Sequence, residues 1–365
     1  MSILAHPDSV YLGMDVHKDS ISVAVLDPGR ESPDVEKIFN DEASIRRLIA
    51  RFPEPGLLRA CYEAGPTGYD LHRLLASLGV RCSVIAPSMI PKAPGDKVKT
   101  DARDSRRLAR LYRAGELVAI RVPSPAEEAV RDLCRTRGDM VEDLTRAKNR
   151  LTKFLLRHST VWRGGENWTV KHETWLAAQR FDEPALQTTF EHYRAVVMSR
   201  DAQLAAVEAD LRLWIDRAPF AQPVQRLAAY RGVTAMGALS LQTEVCDWRR
   251  FARAQQMMGF VGLVPSEYSS GGSTHRGHIT KAGNTHLRAQ LVESAWAYQH
   301  RPYVGPEIGK RHVGLPPEVI ARAWKAQLRL CGRFAHLAAR KNTKSVVAAA
   351  IARELAGFLW AEMNA

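Results

Sequence analysis

Four carboxylates stand where a chain can bring them together. Asp15 closes one apolar run and Glu63 another, while Asp101 and Asp104, three residues apart near the start of a helical pattern, share one face of it. At strand ends and a helix start such groups face a common crevice, where like charges are tolerable only if cations neutralise them. Hard carboxylate oxygens with incomplete protein coordination suit Mg2+, with Mn2+ as a substitute. Two such ions, about 3.5–4 Å apart, stabilise both the attacking and the leaving oxygen of a phosphodiester, so the chemistry this set fits is phosphoryl transfer. Each acid alone has a plainer meaning, Asp15 as a strand-end turn former and Asp101 as a helix-dipole residue beside a capping Thr100; the inference belongs to the set.

A second candidate lies far along the chain. Residues 265–277 are rich in Ser and Gly and carry five hydroxyls, on Ser266, Ser269, Ser270, Ser273 and Thr274. Glycine lets a phosphate backbone approach, and a serine can attack a phosphodiester to give a covalent phosphoserine if a base or metal activates it. Composition alone favours a flexible Ser/Gly loop and does not choose among the hydroxyls. Charges of one sign surround this segment, namely Arg276, His278, Lys281, His286 and Arg288, with Arg249, Arg250 and Arg253 upstream, and we read Arg249, Arg250, Arg276, Lys281 and Arg288 as phosphate contacts.

The elements that must position these residues can be outlined. Val10–Val16 and Ser20–Leu26 are apolar, β-rich runs separated by the polar turn His17, Lys18, Asp19, a hairpin signal. Helices are expected over residues 43–50, 69–78 and 101–115, and strands over 57–63 and 82–86, which together predict a mixed α/β sheet. From Pro125 the texture changes to long helices. Val130, Leu133, Met140, Leu144, Ala147, Leu151 and Phe154 form one near-heptad seam, and Leu186, Phe190, Tyr193, Val197, Leu204, Val207, Leu211 and Trp214 another, predicting a coiled coil or helical hairpin. Beyond about residue 222 the chain reads as helical, with Gly-rich or Pro-rich interruptions at 265–281 and 302–317 and a strong final helix at 345–362. Residues 227–239 have the look of a helix-hairpin-helix turn, Gly232 and Gly237 freeing backbone N–H groups for phosphates, although its usual proline is missing.

Composition narrows the partners. At 365 residues, with 45% hydrophobic and 25% charged side chains, the chain has the makings of a folded protein of more than one domain rather than a disordered or membrane one. Its formal charge of +13 favours a polyanion. No secretory leader or membrane span is evident, so a cytoplasmic, nucleoid-associated location is expected. Five scattered cysteines without a CxxC argue against both a disulfide framework and a zinc site and read as small apolar residues. No GxxxxGK[ST] loop suggests ATP chemistry.

The segments LGMDVHKDSISVAVLD, CYEAGPTGYDLHRLL and KVKTDARDSRRLARLYRAGEL resemble the three acidic motifs of insertion-sequence transposases with an Asp-Glu-Asp-Asp, RuvC-type nuclease domain. YRGVTAMGALSLQTEVCDWRRFARAQQMMGFVGLVPSEYSSGGSTHRGHITKAGNTHLRAQLVESAW resembles the same family's C-terminal transposase domain over nearly its whole length. The resemblance implies an RNase H-like (RuvC-type) N-terminal domain with Asp15, Glu63, Asp101 and Asp104 as catalytic metal ligands, leaving Asp19, Asp70 and Asp96 outside the motif. It implies Ser270, immediately before Gly271, as the nucleophile, with Ser269 the neighbouring alternative. It further implies donor and target double-stranded DNA, a noncoding bridge RNA that selects them by base pairing, and a homo-oligomer, dimer or tetramer, in which the two sites cooperate. Arg131, Arg135, Arg146, Lys148, Arg150, Lys153 and Arg157 on the first long helix offer a surface for structured RNA, and Trp162, Trp168 and Trp175 are candidates for base stacking or for core packing.

The expected architecture is therefore α/β plus α: an RNase H-like domain over 1–122, a helical coiled-coil connector over 123–221, and a mostly helical transposase domain with the serine loop over 222–365. The competing reading is a purely hydrolytic RNase H-like nuclease or Holliday-junction resolvase without a covalent intermediate; it explains the acids but not the serine segment. A non-enzymatic nucleic-acid-binding descendant and a sugar-kinase-like or actin-like ATPase fit less well, since all four acids are present and a second repeated domain with further glycine-rich phosphate loops is not.

Overall fold

The computed structural model describes residues 8–91, 100–270, 272–340 and 343–365, with the side chains of Ser270 and Thr274 also outside the description. The chain divides into two compact units, Met1–Pro123 and Ser124–Ala365.

The first unit is a mixed α/β layer structure. Strands β1 (Val10–Val16), β2 (Ser20–Leu26), β3 (Asp34–Phe39), β4 (Leu58–Glu63) and β5 (Arg81–Ile85) form one sheet in the order β3-β2-β1-β4-β5. The β1/β2 and β2/β3 pairs are antiparallel, and the β1/β4 and β4/β5 pairs parallel. Helices α1 (Glu42–Ile49) and α2 (Asp70–Ser77) cover one face, and α3 (Asp101–Arg113) the other. Both faces being covered is why β1 reads as a continuous apolar run: Leu12 and Met14 pack with Leu48 and Leu75, while Tyr11 on the opposite face packs with Leu108, Ala109 and Tyr112. Strand β3 escapes sequence reading because its residues, DVEKIF, are charged; it is an edge strand, where charge blocks pairing with another chain.

In the second unit α4 (Pro125–Arg157) begins at a capping box in which the Glu127 N–H donates to Ser124 Oγ and the Ser124 N–H to Glu127 Oε2. After α5 (Val170–Ala178), helix α6 (Pro184–Ile215) returns antiparallel to α4, as the Arg137–Glu208 ion pair and the Phe154–Tyr193 ring contact show. Leu144, Leu151, Phe154, Phe190 and Val197 from the two expected seams share one cluster with Leu176 of α5. Trp162, Trp168 and Trp175 gather around His172, with ring centroids 5.1–5.6 Å away, and so pack against one another. The inner ends of the long helices, at Val130, Cys134 and Leu211, join the core of the remaining elements.

Those elements are α7 (Ala221–Ala228), α8 (Ala235–Val245), α9 (Ala254–Phe260), strands β6 (Pro265–Ser270) and β7 (Ser273–Ile279), α10 (Thr285–Ala295), α11 (Pro306–His312), α12 (Pro317–Ala339) and α13 (Lys344–Met363). Apolar nearly all round, α13 is buried at Val347, Ile351, Ala352, Leu355 and Leu359. Its one buried acid, Glu362, is held by Arg226, Arg322 and the Tyr230 hydroxyl. Cys61, Cys134 and Cys331 are buried, Cys82 and Cys246 half-buried, and none of the five is in a disulfide. Among the described residues no helix is long and apolar enough to cross a membrane.

The segment read as a Ser/Gly loop, 265–281, is corrected by the structure to an antiparallel β-hairpin. Its strands lack the alternation that a buried face imposes, because their described residues are mostly exposed, with Ile279 at the base packed against the core, and two glycines in sequence between Ser270 and Ser273 are a hairpin-turn composition.

Candidate functional site

Asp15 and Glu63 each lie one residue beyond the Met14–Tyr62 pair of two adjacent parallel strands. Cys61, two residues before Glu63, has its Sγ 3.8 Å from the Leu108 carbonyl of α3, so alternation puts Glu63 and Asp15 on the α3 face. Asp101 and Asp104 occupy the first turn of α3. Thr100, expected as a side-chain cap, sits at the N-cap position without a capping hydrogen bond.

Gly13 lets this helix come so close. A Cβ there would stand 2.3 Å from the Ser105 carbonyl oxygen and 2.4 Å from the Ala109 nitrogen, so any side chain moves the backbone of α3 and with it both acids. Gly13→Ala is expected to destabilise the first unit by about 1–3 kcal/mol, the usual cost of overpacking. A thermal melt checks this, and an unchanged midpoint would show that α3 moves freely.

The residue that joins the acids was seen in the sequence only as part of a turn. His17 Nε2 stands 3.3 Å from Asp15 Oδ2 and 3.4 Å from Asp101 Oδ1. One donor atom each from Asp15, His17 and Asp101 lies within 4.8 Å of the others. Burial pushes the Asp15 carboxyl above the usual carboxylate range; His17 opposes this, and the charges of Asp101 and Asp104 add to it. Asp15, Asp101 and Asp104 therefore interact as a group, while Glu63, exposed, ends the neighbouring strand on the same face and lies outside the Asp15–His17–Asp101 cluster. A half-buried crevice holding carboxylates that disfavour one another's ionisation fits a divalent cation. The available signal was a histidine two residues after Asp15 in a tight hairpin.

On the β6–β7 hairpin the register pairs Glu267 with Arg276, Tyr268 with His275, Ser269 with Thr274 and Ser270 with Ser273. The Ser269 hydroxyl donates to Glu267 Oε1 at 2.8 Å, and Arg276 Nε lies 3.5 Å from the other Glu267 oxygen. Ser270 is placed by its backbone at the end of β6.

The hairpin's base is rigid. A Cβ on Gly262 or Gly283, both at positive φ, would stand 2.1 Å from the carbonyl oxygen of Ala282 or Phe260 respectively. Asn284 caps α10 through its Oδ1 and donates from Nδ2 to Glu244 Oε2 at 2.7 Å. Glu244 in turn accepts from Arg135 Nε and Nη2 at 2.7 and 3.0 Å, which ties the long helix α4 to the hairpin's root. Burial pushes the Glu244 carboxyl up, but the Arg135 and Asn284 hydrogen bonds outweigh it and leave it below the ordinary value. This contribution to stability is present above the ordinary carboxylate range and is lost as pH falls through the lowered value. Glu244→Ala is expected to cost about 1–3 kcal/mol at neutral pH, since it removes the buried acceptor that Arg135 and Asn284 share. Chemical denaturation of the variant tests this, and a loss below about 1 kcal/mol would mean that water satisfies Arg135.

Of the expected phosphate contacts, Arg249, Arg276 and Lys281 are exposed. Arg250 lies over the Phe251 and Phe260 rings at 4.5 and 4.4 Å, and Arg288 donates to the Val261 and Ala282 carbonyls. On α4, Arg150, Lys153 and Arg157 face solvent, whereas Arg131 is buried beside Glu128, Arg135 bonds Glu244, Arg146 pairs with Glu142 and Lys148 lies over Trp168. In the α7–α8 turn, the space a Cβ would take at Gly232 or Gly237 is already filled by the Ser294 carbonyl or the Gln290 side chain, so both glycines serve internal packing.

Against known proteins, a family profile for DEDD transposases of the IS110 type, described as a transposase, matches residues 12–159. A second, for the transposase IS116/IS110/IS902 family, matches residues 224–307. Over 96% of its length the chain is 42% identical to a protein of Sinorhizobium fredii assigned as transposase y4qE, spanning 87% of that protein. It is 35% identical over 91% of its length to the transposase for insertion sequence element IS1533 of Leptospira borgpetersenii, spanning 98% of it. A more distant likeness, 25% identity over 80% of the chain, is to the transposase for insertion sequence element IS1111A of Coxiella burnetii.

Proposed function

The chain belongs to the IS110 family of insertion-sequence transposases, enzymes of DNA recombination, and on that premise we propose that it cuts and rejoins DNA through a serine-linked intermediate. In this reading Asp15, Glu63, Asp101 and Asp104 hold Mg2+ or Mn2+, which when bound neutralises charge developing on a phosphodiester. The observation that carries it is the gathering of Asp15 and Asp101 around one nitrogen with Asp104 in electrostatic reach. Support for an RNase H-like first unit comes from the strand order β3-β2-β1-β4-β5, with three antiparallel strands running into a parallel pair and the acids at the strand ends.

The proposed step is transesterification. The Ser270 oxygen bonds to phosphorus, the bond from phosphorus to one sugar oxygen breaks, and the serine proton ends on the released sugar hydroxyl. Attack by a second strand's hydroxyl reverses the exchange, so the ester bond energy is kept and no ATP is needed. Exposed Arg249, Arg276 and Lys281 supply phosphate contacts near the hairpin, Arg250 and Arg288 being engaged with the Phe251 and Phe260 rings and with backbone carbonyls, and donor and target duplexes are the substrates. A bridge RNA that delegates sequence choice to base pairing and a dimer or tetramer complete the proposal, the exposed Arg150, Lys153 and Arg157 being the surface offered to that RNA. The domain limits are those of the RNase H-like domain at 1–122, the helical connector at 123–221 and the transposase domain at 222–365.

The test is to denature the reacting full-length protein with its DNA, digest it and map the nucleotide-bearing peptide. A peptide from 265–277 modified at Ser270 is the expected result; product strands without any protein adduct would establish hydrolysis instead. RNA sequenced from the purified protein tests the guide, and recovery of no discrete species would remove it.

A further inference from the structure

We propose that His17 is itself a metal ligand, contributing Nε2 to the same cation as Asp15 and Asp101 and shifting the site's preference from Mg2+ toward Mn2+. The inference rests on the divalent-cation reading given above and adds to the four acids a nitrogen donor that they do not include.

Three observations carry it. The Nε2 atom lies 3.3 Å from a carboxylate oxygen of Asp15 and 3.4 Å from one of Asp101. With bonds of about 2.1 Å, cis ligands of an octahedral ion stand about 3 Å apart, so Nε2 is already near the cis spacing from each carboxylate oxygen, and the donor atoms of all three residues lie within 4.8 Å of one another. Second, the turn that carries His17 is held from both sides: its N–H donates to the Ser20 carbonyl at 2.9 Å, and its own carbonyl accepts from Asn40 Nδ2 at 2.8 Å. The imidazole therefore projects from a fixed backbone across the end of β1 toward α3, rather than from a mobile loop. Third, the side chains of His17 and Asp101 are about half exposed while that of Asp15 is mostly covered, so an ion can enter between His17 and Asp101 and meet Asp15 behind them.

The donor chemistry then decides the preference. Mg2+ takes oxygen ligands almost without exception and keeps much of its water, whereas Mn2+ accepts imidazole nitrogen beside carboxylates. Nε2 is also the nitrogen remote from the backbone.

The experiment is a titration of the purified full-length protein with Mn2+ alone, followed by electron paramagnetic resonance and by the pulsed variant that detects coupled nitrogen nuclei. The expected result is Asp15-dependent binding with a directly coupled imidazole nitrogen. His17→Gln should lose that coupling, weaken Mn2+ binding about ten- to a hundredfold, and weaken Mg2+ competition by much less. Its melting temperature serves as the control for folding. Mn2+ binding that Asp15→Asn abolishes but that shows no nitrogen coupling in the unaltered protein would overturn the role of His17 and leave the acidic site standing. Binding indifferent to Asp15→Asn would overturn both.

Discussion

Replacing Ser270 by alanine is expected to abolish the protein–DNA adduct and to lower strand exchange by at least about a thousandfold, the scale on which loss of a covalent nucleophile is felt. Its neighbour is not expected to stand in. The Ser269 hydroxyl is already engaged with Glu267, which is linked to Arg276 across the strand pair. Ser269→Ala is accordingly expected to keep the adduct and lose no more than about tenfold, the scale of a local hydrogen bond. Denaturing electrophoresis of each variant with labelled DNA reads both outcomes. An adduct that survives Ser270→Ala but vanishes with Ser269→Ala would transfer the role to the other serine. Because the described residues around the hairpin's tip are exposed, neither substitution is expected to shift the melting temperature, which separates lost chemistry from lost fold.

Asp15→Asn is expected to eliminate cleavage, by about a thousandfold or more, while making the cation-free protein more stable. The two effects share a cause. Burial, with Asp101 and Asp104 and against the opposing pull of His17, leaves the Asp15 carboxyl's affinity for its proton raised, so the ionised form costs stability as pH rises through that raised value and is uncostly below the ordinary one. A neutral amide of the same shape removes the cost. Without divalent ions at neutral pH the variant is expected to melt about 2–5 °C higher than the unaltered protein. Added Mn2+ should close or reverse the gap by stabilising only the chain that binds it. A variant that melts lower with or without the ion would show Asp15 to be a structural group.

Much of the site was legible in the sequence because its parts sit at element ends that local pattern announces. The apolar runs before Asp15 and Glu63 are strands buried on both faces, and Asp101 and Asp104 begin an amphipathic helix, so each acid's place on its own element followed from periodicity. Strand β3 did not follow, since an edge strand bearing Asp34, Glu36 and Lys37 carries no apolar signal. Nor did the β6–β7 hairpin, whose serines and glycines read as loop because no core demands alternation there.

By itself, then, the sequence determined which residue types were available, which element each would end or begin, the near-heptad seams of the long helices, and the family. Tertiary structure alone decided the neighbours: that the bare backbone of Gly13 draws α3 onto β1, that His17 comes between Asp15 and Asp101, and that Arg135 reaches Glu244 and, through it, Asn284 at the hairpin's root. The physical reason is range. Strand and helix periods are set by residues a few positions apart, whereas His17–Asp101, Glu244–Asn284 and Arg135–Glu244 join residues 84, 40 and 109 positions apart and the approach of α3 depends on a side chain's absence, so all become defined only once the layers have packed.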